Sequence, residues 1–337
     1  MMKKEDLRIV FMGTPEFAVE TLRTLVESGY NVVAVVTQPD KPVGRHGSVL
    51  QPSAVKQYAV EQGLPVLQPE KMKDPAFVET LRSYRANLQV VVAFRMLPEV
   101  VWAMPELGTF NVHAALLPQY RGAAPINWAV INGETQTGVT TFFLDHDIDT
   151  GRIIMKKTFD IPDDADVEYV YDGLMHLGAE LCVETLEAIV AADGHPATVS
   201  QDNYQLSSQH HTLEERIINC QLKNAPKIFK ETCEIQWSKT AKQVYDFVRG
   251  LSPVPGAWTT LVAPDGRETV LKIYKARKTE RPCLTGSGSI AADGKTLCIG
   301  AADEWLEVVE LQLAGKKRMA ARDFLNGMKD IGAYTVR

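Results

Sequence analysis

Leu7-Arg8-Ile9-Val10-Phe11-Met12-Gly13-Thr14-Pro15-Glu16 is an apolar run that breaks at a glycine and continues as a helix-period segment, the opening of a β-α unit. The spacing predicts a strand over Leu7–Met12 and a helix over Glu16–Ser28. The alternation continues as strand Val32–Thr37, helix Ser53–Gln62, a short strand at Pro65–Leu67, helix Pro75–Arg82 and strands Leu88–Ala93 and Thr109–Val112. A helix near Ala124–Asn132 follows. Val139–Leu144 and Arg152–Phe159 then read as an antiparallel continuation, and Val167–Ala192 as a long amphipathic helix. Strands alternating with helices build a mostly parallel sheet covered on both faces, so the fold class is α/β.

Gly13 invites a dinucleotide-binding reading, which its neighbours exclude. Such a site needs glycines for the tight turn, for close approach of a pyrophosphate and for helix packing. Here Pro15 and Glu16 occupy the turn, and Glu16 puts a carboxylate where a phosphate would sit. No G-x-x-x-x-G-K-[ST] run is present either. NAD-type and Walker-type chemistry are therefore set aside.

At 337 residues the chain exceeds most single cores. Residues 1–192 read as an α/β domain, 193–210 as a linker rich in Asp, Gly, Ser, Gln and His, and 211–337 as a second, smaller domain. There a helix over Thr240–Gly250 precedes short strand-like runs parted by Gly and Asp turns, as in a small β-barrel. The net charge of -6 conceals opposite halves. Residues 1–210 carry 16 Lys and Arg against 27 Asp and Glu, a net of -11, and residues 211–337 carry 20 against 15, a net of +5. The cations cluster at Lys272, Lys275, Arg277 and Lys278 and again at Lys316, Lys317 and Arg318. A phosphate-neutralising surface requires such clusters, although a merely solvated face can carry them too. The five cysteines, Cys182, Cys220, Cys233, Cys283 and Cys298, are scattered without C-x-x-C or metal-like spacing, as free thiols of a reducing cytoplasm. The apolar runs fall far short of the roughly 20 residues that cross a bilayer, and no signal peptide is read.

In Phe110-Asn111-Val112-His113 the two polar residues are two apart at a strand end and share one side of the sheet. Open α/β sheets place ligands at that carboxyl edge. An amide that donates to an oxyanion and an imidazole that moves a proton near neutral pH suit acyl transfer. A strand-end Asn in a turn beside a hydrogen-bonded core His fits the spacing equally well. The irregular run from Ala114 to Pro125 is a site-lining type of loop. Asp145-His146-Asp147-Ile148-Asp149-Thr150-Gly151 crowds three carboxylates between two strands; turn formation accounts for some of them, a metal cage is weakly supported, and a carboxylate that orients the histidine fits better.

Asn111-x-His113, Leu116-Leu117-Pro118, Arg121-Gly122-Ala123-Ala124-Pro125 and Ile148-Asp149-Thr150-Gly151 together resemble the folate-dependent formyltransferases. Gly13-Thr14-Pro15-Glu16-Phe17, the run from Thr37 to Arg45, Trp237-Ser238-Lys239, Arg249-Gly250-Leu251-Ser252-Pro253, Gly256-Ala257-Trp258 and Gly315-Lys316-Lys317-Arg318-Met319 extend the likeness over nearly the whole chain. The resemblance implies a Rossmann-like, mostly parallel sheet followed by an OB-like barrel that binds tRNA. It implies catalysis by Asn111, His113 and Asp149, with 10-formyltetrahydrofolate as formyl donor and neither a metal nor NAD. The acceptor it implies is the α-amino group of methionine on initiator tRNA, and with it a cytoplasmic monomer that engages no membrane.

The folate pocket would include Ala115, Leu116, Leu117 and Pro118 together with Phe94 and Arg95. The loop Asp40–Leu50, with Lys41 and Arg45, would enter the acceptor end of the tRNA, Phe17 would border the methionine side chain, and Lys316, Lys317 and Arg318 would meet phosphates. Three departures stand out. Ala115 replaces the usual serine, Phe94-Arg95 stands where a tyrosine-glycine pair is common in a run one residue longer, and His46-Gly47-Ser48-Val49 lacks the usual lysines. Rival readings are a formyltransferase for a small amine, such as an amino sugar or glycinamide ribonucleotide, and a non-catalytic RNA-binding protein.

Overall fold

The computed structural model describes residues 1–43, 49–202, 222–328 and 330–337. The chain forms two compact units. One comprises Met1–Gly122, Thr137–Phe159 and Tyr171–Asn224, the other Ala123–Gln136, Asp160–Val170 and Ala225–Arg337.

In the first unit the apolar runs become strands buried on both faces: β1 (Ile9–Gly13), β2 (Val32–Val36) and β6 (Leu88–Val92). Two-residue β5 (Val66–Leu67) flanks β2, and β7 (Thr109–His113) flanks β6. The sheet runs β10-β9-β7-β6-β1-β2-β5, where β9 is Gln136–Phe143 and β10 is Ile153–Asp160. Strands β5, β2, β1, β6 and β7 are parallel and β9 is antiparallel to β7, the predicted continuation. From β1 the chain builds first toward β2 and β5 and later toward β6 and β7, so a crevice opens at the carboxyl ends of β1 and β6, where such sheets bind ligands. Short strands β8 (Arg121–Gly122) and β11 (Asn224–Ala225) lie outside this sheet.

Local chemistry starts the helices. In α1 (Glu16–Glu27), Phe17, Ala18, Thr21, Leu22 and Leu25 are buried at helical spacing. The Ser53 hydroxyl caps α2 (Ala54–Glu61) by accepting from the Lys56 N–H, and Asp74 caps α3 (Pro75–Ser83), whose first residue is a proline. Helices α3 and α4 (Glu99–Trp102) cover one sheet face through Phe77, Val78, Leu81 and Val101 packed on Val10, Met12, Val36 and Val91. Long α6 (Val167–Ala191) touches the sheet through a Thr185–Thr141 hydroxyl pair at 2.8 Å. Within the loop read over 40–50, β3 (Lys41–Val43) and β4 (Val49–Gln51) pair antiparallel. These strands are wholly exposed, so no hydrophobic alternation announces them.

The second unit is a near-closed antiparallel barrel in the order β14-β15-β16-β13-β12-β18. Its strands are β12 (Ala257–Val262), β13 (Glu268–Pro282), β14 (Ile290–Ala292), β15 (Leu297–Gly300), β16 (Glu304–Leu313) and β18 (Thr335–Val336), with β17 (Met319–Ala320) pairing β16. Register shifts bend β13, and a Ser289–Thr335 bridge joins the two ends of the sheet. Inward residues alternate along β12, and Leu261, Leu271, Ile273, Ile299, Leu306 and Val308 fill the interior. Helix α7 (Ala241–Leu251) starts from a Thr240–Gln243 capping box, and α8 (Ala321–Gly327) follows β17. The predicted helix near Ala124–Asn132 is α5 (Pro125–Ile131), which groups with this unit. A Cβ on Gly250 would lie 2.6 Å from the Ile131 side chain, so only glycine lets α5 and α7 approach this closely, and Asn127 donates to the Gly250 carbonyl at 2.9 Å.

Candidate active site

Strand β7 delivers Asn111 and His113 to the same side while Val112 returns to the core, and across the antiparallel pairing they oppose Phe142 and Thr140. The Asn111 Oδ1 is buried without a hydrogen-bond partner. Leaving a buried polar atom unpaired costs about 1–3 kcal/mol, a cost that a donor on a bound ligand would relieve. His113 is 6% exposed, and its Nε2 donates to the Tyr120 carbonyl at 2.9 Å, so Nδ1 is the nitrogen facing Asp149.

The structure sorts the three carboxylates. Asp145 organises the turn by accepting from the Asp147 N–H and the Thr150 hydroxyl, and Asp147 is exposed. Asp149 alone turns inward, on a left-handed backbone with φ of 56°. Its Oδ2 accepts from the Gly122 N–H at 2.9 Å and stands 3.9 Å from His113 Nδ1, within ion-pair reach but too long for a hydrogen bond. Gly151 is required here, because a Cβ would fall 1.7 Å from the Phe143 carbonyl oxygen. Among the described residues no group of His, Cys, Asp or Glu is arranged to hold a metal.

Behind the trio, Thr140 Oγ1 donates to the Ala115 carbonyl at 2.7 Å and accepts from the Leu117 N–H, while the Lys156 ammonium donates to the Leu117 carbonyl. Burial pushes the Lys156 pKa down to about 8. Ala115 and Leu117 are fully buried, Leu116 and Pro118 are half-buried, and the Leu117–Pro118 peptide is cis. Phe94 and Arg95 follow β6 at the mouth of the crevice. The Arg95 guanidinium does not face open space: Nη1 donates to the Glu70 carbonyl at 2.9 Å and Nη2 to that of Pro69, and burial lowers its pKa. It ties the Phe94–Pro98 run to the segment before α3.

Phe17 is buried at the start of α1, its ring edge-on to Tyr171 at 5.2 Å and its N–H donating to the Tyr171 hydroxyl. Lys41 is exposed on β3, whereas Arg45 lies outside the described residues. Asp40 anchors the base of this hairpin through Lys56 and Gln68 at 2.6 and 2.7 Å, and the Lys56 bond above all holds its carboxyl below the usual range. In the second unit, Lys316 and Lys317 are exposed and make no ion pair among the described residues. Arg318 pairs with Glu310 and lies 4.4 Å over the Tyr274 ring. Arg277 and Lys278 are likewise paired, with Glu307 and Asp163.

Sequence reasoning missed Gln201. It falls in the stretch read as a linker, yet it is 3% exposed, and Val199 beside it bridges Ile153. A lone Gln in a polar run carries no signal of burial. Residues 203–210 of that stretch are outside the described residues.

Residues 7–186 match the formyl transferase family, and residues 227–329 match the formyl transferase C-terminal domain. The chain is 60% identical over 336 residues to the methionyl-tRNA formyltransferase of Parabacteroides distasonis, covering 99% of this chain and 100% of that one. It is 54% identical over 337 residues to the methionyl-tRNA formyltransferase of Bacteroides fragilis, covering 100% and 99%. HypX from Aquifex aeolicus, solved in complex with tetrahydrofolic acid, shares the fold with a TM-score of 0.59 at 18% identity, covering 95% of this chain and 47% of that one.

Proposed function

The chain belongs to the formyl transferase family, and on that premise we propose that it moves a formyl group from 10-formyltetrahydrofolate to the α-amino group of methionine on initiator methionyl-tRNA. The observation that carries this reading is identity of 60% to a methionyl-tRNA formyltransferase along the whole chain, with Asn111, His113 and Asp149 converging at the carboxyl edge of the sheet.

The neutral amine attacks the formyl carbon, forming a C–N bond, and the carbonyl oxygen takes up the negative charge. Asn111 Nδ2 and the Nδ1–H of His113, the ring nitrogen not held by the Tyr120 carbonyl, stabilise that oxyanion, an effect worth several kcal/mol per donor in a dry site. When the intermediate collapses, the bond to the folate nitrogen breaks and that nitrogen takes a proton, replacing the one the amine loses; His113 carries it. Asp149 faces His113 Nδ1 at 3.9 Å and orients the ring. Ala115, Leu116, Leu117 and Pro118 line the donor's pocket, with Phe94 at its mouth, and Arg95 holds the loop that shapes it. Phe17 borders the methionine, Lys41 and Arg45 reach the acceptor end, and Lys316, Lys317 and Arg318 meet phosphates, supported by the net +5 of residues 211–337. A charged initiator tRNA is a cytoplasmic species, so the reading places the enzyme there, acting as a monomer.

The test is formyl transfer from 10-formyltetrahydrofolate to methionyl-tRNA, free methionine and small amines, with native protein and His113→Ala. Transfer to the charged tRNA alone is expected, with kcat lowered by about two to four orders of magnitude in the variant and tRNA affinity kept. Equal use of free methionine would overturn the acceptor, and a near-native rate for His113→Ala would overturn the site.

A further inference from the structure

Three consecutive residues tie His113 to Asp149. The Tyr120 carbonyl accepts from His113, the Gly122 N–H donates to Asp149, and between them Arg121 donates to Gln201 Oε1 through Nε at 3.0 Å and Nη2 at 2.5 Å. The other end of the same amide faces the turn that carries Asp149: Gln201 Nε2 donates to the carbonyls of Asp149 and Gly151, both at 2.8 Å. Both hydrogens and both acceptor positions of the amide are engaged, so its orientation is unambiguous. The side chain is 3% exposed, and the reciprocal hydrogen bonds of Val199 with Ile153 fix the backbone two residues earlier.

We propose that Gln201 is a positioning residue, which clamps the left-handed turn of Asp149 to the Tyr120–Gly122 segment and so sets the distance between the Asp149 carboxylate and His113. This rests on the catalytic reading of Asp149. A non-glycine residue stays in the left-handed region when its surroundings over-determine it, and two backbone carbonyls held by one buried amide supply that constraint. Without the amide, those carbonyls lose their donor and Arg121 its acceptor. The turn is then free to relax away from the imidazole.

The experiment is a double-mutant cycle in full-length protein with 10-formyltetrahydrofolate and methionyl-tRNA. Gln201→Met keeps the volume and removes all four hydrogen bonds. It is expected to lower kcat by about 10- to 100-fold, the usual cost of misplacing a catalytic group by about 1 Å, with both KM values changed by less than about threefold. In an Asp149→Ala background the same substitution should cost less than about twofold, because the group it positions is gone. A native kcat, or the same fold-loss in both backgrounds, overturns the proposal. Arg121→Met strips the other side of the amide and, if Gln201→Met does not fold, runs the same cycle with the same expected coupling. Should Asp149→Ala itself keep the native kcat, the catalytic reading fails and the clamp falls with it, an outcome distinct from failure of the clamp alone.

Discussion

Replacing Gly151 by alanine tests the site through its backbone. A Cβ at this buried position would lie 1.7 Å from the Phe143 carbonyl oxygen, whereas real Cβ contacts essentially never fall below 3.0 Å, so the turn or β9 must shift by at least 1.3 Å, the difference of the two. Gly151 is two residues from Asp149, and its own carbonyl is one of the two that Gln201 holds. The displacement is therefore passed to a carboxylate already 3.9 Å from His113 Nδ1. Misplacement on this scale costs about 100-fold in rate. Overpacking costs only about 1–3 kcal/mol of stability, which lowers Tm by several degrees while leaving the chain folded. Single-turnover formyl transfer at saturating methionyl-tRNA measures the first effect and thermal unfolding the second. Gly327→Ala is the control: nothing lies within 4 Å of its Cβ, and both readings should stay close to native. A folded Gly151→Ala protein with kcat within about threefold of native would refute the argument, since it would show that the carboxylate can move by that much without consequence.

The remaining predictions concern other parts of the molecule. Arg249 and Asp246 form a 2.8 Å buried ion pair on α7, so Arg249→Met strands a carboxylate that keeps only Lys242 and should cost about 3 kcal/mol. Urea unfolding followed by tryptophan fluorescence reads this directly, and an unchanged midpoint contradicts it. Lys156 titrates at about 8 in the folded protein against 10.5 ordinarily. Between those values the unfolded chain binds more protons, so this group makes stability rise with pH from about 8 to about 10.5. Lys156→Met should flatten that part of the profile, and parallel profiles would rule it out. Removing Lys316 and Lys317 together should reduce the salt slope of tRNA affinity by up to about two while sparing kcat; an undiminished slope would take both lysines off the phosphate surface.

Buried parallel strands announce themselves as apolar runs, and the predicted β1, β2, β6 and β7 agree with the structure to within two residues. The role of Gly13 came only with the structure. A Cβ there would lie 2.6 Å from the Ala18 Cβ, so the glycine serves helix–strand packing. Non-local features left no such trace. The face of α5 is decided by Gly250, more than a hundred residues away in sequence, and the β3–β4 hairpin is too exposed to show a period. The pairing of Asn111 with His113 was legible because strand geometry alone puts residues two apart on one side. Asp149 was not separable from Asp145 and Asp147 by spacing, since all three suit a turn; family resemblance singled it out, and the backbone shows Asp145 shaping the turn while Asp149 faces inward. The Arg95 contacts with Pro69 and Glu70 depend on carbonyls that no motif encodes.

The barrel's closing bridge between Ser289 and Thr335 also bears on how the protein behaves when crowded. Open sheet edges are templates for strand addition by a second chain, and linking the outermost strands leaves this sheet little edge to offer. The larger sheet reaches the same end differently: one margin is the two-residue β5, and at the other, β10, Ile153 is already bridged by Val199. An enzyme with strands as apolar as β1 and β2 is thereby protected from edge-to-edge aggregation by a closing bridge in one sheet and by a short or already bridged margin in the other.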